Sequence, residues 1–267
     1  MALPLPSSLS PSKVASFKEC GLAFKFAAID RLPEPPSPAS TKGTLVHRAL
    51  ELLFCEPAEQ RSLDVALARL ERAREELRDH PDFTDLALEP DEEVAFFADA
   101  EQLVRRYFEL EDPTRVRPIG LELKLEAHIG SLTLRGIIDR LELDDDGELV
   151  VTDYKTGKVP GQTFEQSRLG GVHFYAFLCE QVFGKPPARI QLLYLSEPLA
   201  IIAQPSEQSV RGLRQRTSAI WTAIERACEH DDFRPRRSRL CDWCAFRNYC
   251  PAWGGDPAQA RELVHSA

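Results

Sequence analysis

Carboxylate and ammonium side chains come together in the stretch GELVVTDYKTGK, residues 147–158. Residues two apart on a β-strand share a face, so Asp153 and Lys155 are predicted to lie side by side. If the preceding hairpin turns about Asp146, its register places Asp139 opposite Asp153, with Cβ atoms about 5 Å apart. Two carboxylates this close are unfavourable unless a cation lies between them. The spacing therefore predicts a site for a hard divalent ion, Mg²⁺ or Mn²⁺, which prefers oxygen ligands.

Lys155 would lie beside such an ion. An ammonium group there can orient an attacking water, or stabilise the charge that develops during phosphodiester hydrolysis. The alternative is that Asp139, Asp153 and Lys155 form a solvated ion cluster at the rim of a sheet. Two carboxylates in register across a turn favour the metal site, and the sequence leaves the alternative open.

Three cysteines form a second pattern with chemical meaning, Cys241-x₂-Cys244-x₅-Cys250. A fourth ligand is missing nearby, and Cys20 is the natural candidate. Zinc sites usually pair two C-x₂-C motifs, whereas iron–sulfur clusters accept uneven spacings and a distant fourth ligand. A cluster held by all four thiolates would close a loop of more than two hundred residues. A zinc site and unligated core cysteines remain the alternatives.

Hydrophobic periodicity predicts the elements that position these residues. In chain order they are a helix capped by Ser10, a second helix opened by Gly43 and Thr44, a helical segment over residues 57–112, a three-stranded antiparallel meander over 118–155, a helix around 174–183, strands at 188–195 and near 200–204, and a long helix over 206–230. This order is typical of an α/β fold with a mixed central sheet flanked by helices. We expect a single domain over residues 1–267, with the ends 10–28 and 231–256 joined at the cysteines.

Charge and hydropathy limit the partners. The 33 basic and 42 acidic residues give a net charge of −9, which provides no general attraction to nucleic acid or to anionic membranes. No apolar run is long enough to span a bilayer, and we expect a cytoplasmic protein. A local basic patch could still bind phosphate, although such a patch can equally be a solvated surface. The patch would consist of Arg234, Arg236, Arg237 and Arg239 with Lys13, Lys18 and Lys25.

GIIDRLE followed by VVTDYKTGK resembles the two central motifs of the PD-(D/E)XK nuclease superfamily, and in particular its RecB-like exonuclease branch. The resemblance implies a restriction-endonuclease-like core in which Asp139, Asp153 and the Tyr154 carbonyl are metal ligands. It also implies that Lys155 is the catalytic lysine. The stretch GTLVH is similar to the G-x-x-x-H motif of the branch, which implies that His47 contributes a nitrogen ligand.

The branch also has a Q-x-x-x-Y motif at the start of the helix that follows the hairpin. Tyr175 matches the tyrosine, which implies a role in positioning substrate. Gly171 stands where the branch has glutamine, and Gln166 is a candidate substitute. This departure affects substrate positioning and leaves the metal site intact.

The cysteine pattern is similar to that of RecB-like nucleases with an iron–sulfur clasp, a group that includes the AddB nuclease domain and the CRISPR-associated adaptation exonuclease. This implies a [4Fe–4S] cluster on Cys20, Cys241, Cys244 and Cys250. It further implies a DNA exonuclease that acts on single strands or strand ends with metal-activated water, in DNA repair or recombination. A helicase or another repair protein is an expected partner, and Arg236 and Arg237 are expected to contact DNA.

Two other functions compete with this interpretation. One is a catalytically silent nuclease-like module that binds DNA or a helicase, for which Gly171 is the support. The other treats the cluster as a redox sensor or electron carrier, which requires a reversible redox couple linked to activity.

Overall fold

The computed structural model of the chain describes residues 2–159 and 162–260, and it describes residues 162–170 by their backbone only. The α-helices are α1 Pro11–Glu19, α2 Gly21–Phe24, α3 Pro38–Phe54, α4 Leu63–Leu77, α5 Pro81–Thr84, α6 Pro90–Tyr107, α7 Gln162–Phe183 and α8 Glu207–His230. The strands are β1 Pro118–Ile129, β2 Leu132–Leu143, β3 Leu149–Lys155, β4 Arg189–Tyr194 and β5 Leu199–Ala203. The predicted α/β class, the meander and the two later strands are therefore confirmed.

The five strands form one sheet in the order β1-β2-β3-β4-β5. β2 and β3 are antiparallel, β3 and β4 are parallel, and β4 and β5 are antiparallel. A parallel pair needs a long crossover connection, and α7 provides it between β3 and β4. This mixed sheet with flanking helices is consistent with a restriction-endonuclease-like core.

The β2–β3 hairpin has the predicted register. Arg140 pairs with Thr152 and Leu143 pairs with Leu149, so the next pair in the same register would bring Asp139 opposite Asp153. The turn between the strands is closed by the Asp144 carboxylate, which accepts hydrogen bonds from the backbone N–H groups of residues 146 and 148 at 3.1 and 2.9 Å. Gly147 occupies the left-handed region with φ of 76°.

Three helix predictions were wrong in their limits: the first helix, predicted to run from Ser10 to Phe26, ends at Glu19, and the helix predicted around 174–183 begins at Gln162. The second helix, α3, begins at Pro38 and not at Gly43. The Ser37 side chain accepts a hydrogen bond from the Ser40 N–H at 3.2 Å, and proline is well suited to the first helical position. Ser10 caps α1 as predicted, but the helix stops at Cys20, whose backbone is extended at φ −156°.

The chain divides into two compact units. One, here called the sheet unit, comprises Pro36–Leu125 and Ile137–Val210, and the other, here called the cysteine unit, comprises Met1–Pro35, Glu126–Gly136 and Arg211–Ala267. The single domain over residues 1–267 stays a prediction.

The sheet unit has a large hydrophobic core. The predicted helical segment forms α4 to α6, and α3, α4 and α6 pack on one another. Buried residues of these helices form one cluster with residues of β3 and β4, including Leu50, Leu53, Leu70, Val104, Tyr154 and Leu193. The helical segment thus covers the hydrophobic side of the sheet. It packs on the same elements that carry the candidate site.

The cysteine unit has buried residues of its own, and one cluster of them lies beside the cysteines. A cluster of five buried residues forms around Phe26 and Phe246, whose rings lie 5.4 Å apart. Cys20, Cys244 and Cys250 pack against this cluster. Among the described helices of the whole chain, none combines the length and the apolar character needed to cross a membrane.

Candidate metal site and cysteine site

The end of the β2–β3 hairpin brings the predicted acidic residues together. The side chains of Asp139 and Asp153 are only 10% and 7% exposed. The backbone N–H of Tyr154 donates a hydrogen bond to Asp139 Oδ2 at 2.7 Å, which fixes this carboxylate against β3. The Lys155 ammonium forms an ion pair with Asp153 Oδ2. Asp139, Asp153 and Lys155 therefore occupy one corner of the sheet, as the register requires.

His47 reaches this corner from α3. Its Nε2 atom lies 3.1 Å from the Tyr154 carbonyl oxygen, and its Nδ1 atom lies 3.5 Å from Asp139 Oδ2. The glycine four residues earlier has a structural reason, because a Cβ atom at Gly43 would lie 3.2 Å from Thr156 Oγ1. Glycine thus lets α3 approach the end of β3 closely enough for His47 to reach the carboxylates.

Glu122 belongs to the same group, and sequence reasoning missed it. One ligand atom each from His47, Glu122 and Asp139 lie within 4.8 Å of one another. Glu122 lies on β1 with φ of 43°, an uncommon left-handed conformation for a residue other than glycine. The feature of the sequence that could have identified Glu122 is its position on β1, the strand next to β2. Asp153 lies outside this group of three and faces Lys155 instead.

Burial makes the charged groups of this corner unfavourable. Burial, followed by the charge of Asp153, raises the pKa of Asp139 to about 7. Burial, followed by the charge of Asp139, also raises the pKa of Glu122. Burial lowers the pKa of His47, although Asp153 and Glu122 oppose this shift. Two carboxylates and a neutral imidazole held close together in a partly dry site are a donor set that suits a divalent cation.

Tyr175 on α7 lies near the same carboxylates. Burial raises the pKa of its hydroxyl, and the charges of Asp153, Asp139 and Glu122 raise it further. A Cβ atom at Gly171 would meet no other atom within 4 Å, so the position where the branch has glutamine is open. The side chain of Gln166, the candidate substitute, lies outside the described residues.

Arg140 supports the hairpin from its opposite face, and no pattern in the sequence indicates this role. Its side chain is fully buried, and its guanidinium donates to the Tyr154 hydroxyl at 2.9 Å and to Thr152 Oγ1 at 3.0 Å. It also pairs with Glu142, whose Oε2 lies 2.6 Å from Nε, and with both carboxylate oxygens of Glu111. Tyr154 is thus fixed through its side chain on one face, while its backbone contacts Asp139 and His47.

The four cysteines of the predicted clasp line one cavity in the cysteine unit. Two of their sulfur atoms accept hydrogen bonds from backbone N–H groups, Cys20 from Arg236 at 3.5 Å and Cys241 from Ser238 at 3.3 Å. The Ser238 N–H lowers the pKa of Cys241, whereas burial raises the pKa of Cys244. Backbone N–H donors directed at sulfur are a feature of cysteine-ligated metal sites and clusters.

Zinc and an iron–sulfur cluster differ in the distances that they require between the cysteine sulfurs. In tetrahedral zinc sites the ligand sulfurs lie about 3.8 Å apart, given a Zn–S bond of about 2.3 Å. Among the described residues, no three of these cysteine sulfurs lie within 4.8 Å of one another. The sulfurs are therefore more widely spaced than in a loaded tetrahedral zinc site.

The two arginines predicted to contact DNA are exposed but make contacts within the cysteine unit. Arg236 donates from its guanidinium to the Lys18 carbonyl at 3.3 Å. The Arg237 guanidinium lies 4.8 Å from the ring centre of Trp253, and Arg247 lies 4.1 Å from the same ring centre. Their role toward substrate stays a prediction.

The mixed sheet, with a hairpin that presents two carboxylates and a lysine beside a helical histidine, is consistent with the nuclease fold and site expected from the sequence. In agreement, the family model of the PD-(D/E)XK nuclease superfamily matches residues 8–251, and the chain belongs to this superfamily.

Known proteins extend this comparison. The gene 69 protein of Mycobacterium phage D29 is 27% identical over 180 residues, which cover 58% of this chain and 65% of that protein, so the match spans less than two thirds of that relative. The crystal structure of a presumed exonuclease from Eubacterium rectale has a TM-score of 0.56 at 13% identity, covering 89% of this chain and 87% of that one. It shows that the two proteins share a fold.

Proposed function

We propose that this protein is a divalent-metal-dependent deoxyribonuclease, acting as an exonuclease on single strands or strand ends. The observation that carries the proposal is the grouping of His47, Glu122 and Asp139 beside the Asp153–Lys155 ion pair. Membership of the PD-(D/E)XK superfamily supports nuclease activity as the purpose of this grouping.

The cation would be held by His47, Glu122 and Asp139 together with the Tyr154 carbonyl, and Asp153 would complete the set. A bound Mg²⁺ or Mn²⁺ would supply Lewis-acid activation of water and of the phosphate. Lys155 would donate N–H groups to a phosphate oxygen, because Asp153 keeps its ammonium at this corner.

Tyr175 would position the phosphate. Its raised pKa keeps the hydroxyl protonated at neutral pH, so it can donate a hydrogen bond to a phosphate oxygen next to the carboxylates. The carboxylates themselves would repel the phosphate until a cation is bound. Substrate binding and metal loading are therefore expected to depend on one another.

The cysteine site would hold a [4Fe–4S] cluster on Cys20, Cys241, Cys244 and Cys250. Support comes from the shared cavity and from the backbone N–H groups directed at two sulfurs. The cluster would join residue 20 to the segment after residue 240 as a structural staple. Anaerobic purification followed by iron, sulfide and zinc analysis decides the occupant, and zinc at one equivalent without iron would contradict the cluster.

End-labelled DNA tests the nuclease. Anaerobically purified protein is incubated with single- and double-stranded substrates in Mg²⁺, Mn²⁺ or EDTA, beside Asp153→Ala and Lys155→Ala. We expect cleavage that requires the metal and falls roughly 10²–10³-fold or more in each variant. The product ladder gives the polarity.

Asp145→Ala and Lys185→Ala serve as matched controls, because both side chains are exposed on the surface. They are expected to cleave at the wild-type rate. If the wild type binds DNA but cuts nothing with either metal while its cysteine site is loaded, the protein is a binding module and the nuclease proposal fails.

The proposal includes a role in DNA repair or recombination, with a helicase supplying unwound strands. It predicts that DNA with a preformed single-stranded end is cut faster than blunt duplex, and that an added helicase removes this difference. Equal rates on both substrates without a helicase would contradict the need for such a partner.

A further inference from the structure

The short 3₁₀ turn Arg239–Trp243 exposes two large apolar side chains in the cysteine unit. Trp243 is 88% exposed and Leu240 is 53% exposed. Residues three apart in a 3₁₀ helix lie one above the other, so these two side chains share a face. We call this feature the tryptophan turn.

The other aromatic residues of the same segment are used for packing. Phe246 is buried against Phe26, and the Tyr249 ring lies 6.5 Å from the same partner. Trp253 lies close to the guanidinium groups of Arg237 and Arg247. Trp243 thus differs from its neighbours, since most of its ring surface faces solvent.

The tryptophan turn has a defined backbone. Ser238 Oγ accepts a hydrogen bond from the Leu240 N–H at 3.2 Å, and the Ser238 carbonyl accepts one from the Cys241 N–H at 3.2 Å. The Cys241 sulfur accepts the Ser238 N–H in return. An exposed tryptophan on a turn fixed in this way loses little conformational freedom when it binds a partner.

The charges around the turn indicate the kind of partner. Arg236, Arg237 and Arg239 are exposed, and in the part of the chain that the structure describes none of them lies within ion-pair distance of a carboxylate. Nearby Arg234, by contrast, is paired with Asp232 at 2.9 Å. Three guanidinium groups without a carboxylate partner among the described residues, in the same segment as an exposed indole and in a chain of net charge −9, are complementary to a phosphate backbone that carries unstacked bases.

We propose that the tryptophan turn binds single-stranded DNA, with Trp243 stacked on an unpaired base and the adjacent arginines on phosphates. Leu240 would support the base from the same face. This inference rests on the proposed nuclease function and adds to it a strand-binding surface in the cysteine unit, whereas the metal site lies in the sheet unit.

Binding without cleavage tests the inference. Fluorescence anisotropy of a short labelled oligo(dT) is measured in EDTA for the wild type, Trp243→Ala, Trp243→Phe and Val94→Ala. We expect roughly tenfold weaker binding for Trp243→Ala, partial retention for Trp243→Phe, and no change for Val94→Ala. Val94 is a matched control, because it is an apolar residue that is 71% exposed in the sheet unit.

An oligonucleotide of the same length without bases separates stacking from phosphate binding. The wild type should bind it more weakly than oligo(dT), and Trp243→Ala should cause no further loss. An equal loss on both oligonucleotides, or no loss on either, would overturn the inference and favour a protein partner for this surface. Equal absorbance of the cysteine site in the wild type and in Trp243→Ala shows that the variant is folded.

Because the binding assay contains EDTA and no free metal ion, its result does not depend on the nuclease proposal. Binding that depends on Trp243 in a protein that never cleaves DNA would leave the strand-binding surface standing and remove the enzyme. Metal-dependent cleavage together with DNA binding that is unchanged in Trp243→Ala would support the enzyme and remove the strand-binding surface.

Discussion

The two candidate sites of this chain are built in opposite ways. In the sheet unit, Asp139, Asp153 and Lys155 lie on paired strands, and buried Arg140 holds the hairpin from behind. In the cysteine unit, the sulfurs lie on short turns and at a break between helices, next to a cluster of five buried residues. Paired strands thus position the first set of ligands, whereas short turns position the second set, and we expect the second set to depend more on a bound group.

The largest effect is therefore expected in the cysteine unit, when its bound group is lost. Cys244→Ser is expected to remove the proposed cluster and to raise the rate of proteolysis within residues 231–256 at least tenfold, because ligand binding contributes the folding free energy of such sites. Limited proteolysis with mass spectrometry checks this. Cys55→Ser, at an exposed position in the sheet unit, is the control and should leave the digest unchanged. Equal resistance to proteolysis in both variants would show that the turns of the cysteine unit are stable without a bound group.

Arg140→Met should give the largest effect in the sheet unit. It leaves the carboxylates of Glu111 and Glu142 without their buried partner, and such changes cost about 3–5 kcal/mol in the free energy of unfolding. Urea denaturation measures the loss. Arg135→Met on the same strand is the control, since its exposed ion pair with Glu126 is worth about 1 kcal/mol or less. Similar losses in both variants would contradict a special role for the buried network.

A smaller effect follows from the raised pKa of Asp139 in metal-free protein. The folded state binds this proton more tightly than the unfolded state, whose Asp pKa is about 3.9, so the stability that Asp139 contributes is present at acid pH and is lost as pH rises toward 7. Asp153 opposes ionisation of Asp139, and Lys155 and Arg140 favour it. Asp139→Asn should then stabilise the protein more at pH 8 than at pH 5.

Thermal unfolding in EDTA at the two pH values measures this difference. Saturating Mn²⁺ should raise the stability of the wild type at pH 8 and leave Asp139→Asn nearly unchanged. A variant that is less stable than the wild type at both pH values would show that the hydrogen bond from the Tyr154 N–H outweighs the charge.

The smallest effect concerns Glu122, which lies on a distorted part of β1. Glu122→Gln should weaken Mn²⁺ binding about tenfold with little change in stability. Losses of this size are typical when a weaker ligand, or a hydrogen-bonding partner of the ligands, is removed. Calorimetric titration with Mn²⁺ checks this. Glu126→Gln, on the same strand and exposed, should bind Mn²⁺ as the wild type does. Unchanged affinity in both would exclude Glu122 from the ligand set.

The sequence was sufficient where structure follows from short-range pairing. The alternation of apolar residues and the turn DDDG determine the register of the hairpin, and this register places Asp139 opposite Asp153. The start of α3 was misplaced because a proline-rich stretch resembles a loop, although Ser37 and Pro38 are favourable at a helix start.

The sequence was insufficient where a residue acts through a distant one or departs from regular backbone. Strand alternation groups Glu122 with Lys124 and Glu126 on an exposed face, whereas Glu122 has a left-handed φ and its carboxylate lies 4.0 Å from His47 Nδ1. Arg140 next to Asp139 gave no hint of its partner Glu111, which lies near the end of the helical segment. Such pairings depend on tertiary packing.

The distance along the chain between the ligands has a consequence for the order of assembly during synthesis. Asp139 and Asp153 lie on neighbouring strands and can meet as soon as the hairpin leaves the ribosome, whereas Cys20 must wait for Cys241, more than two hundred residues later. The nuclease corner would then exist in a nascent chain whose cysteine site is still open. With the proposed cluster at this site, a cell that limits cluster supply would accumulate chains arrested at this stage, and iron availability would limit how much finished protein is made.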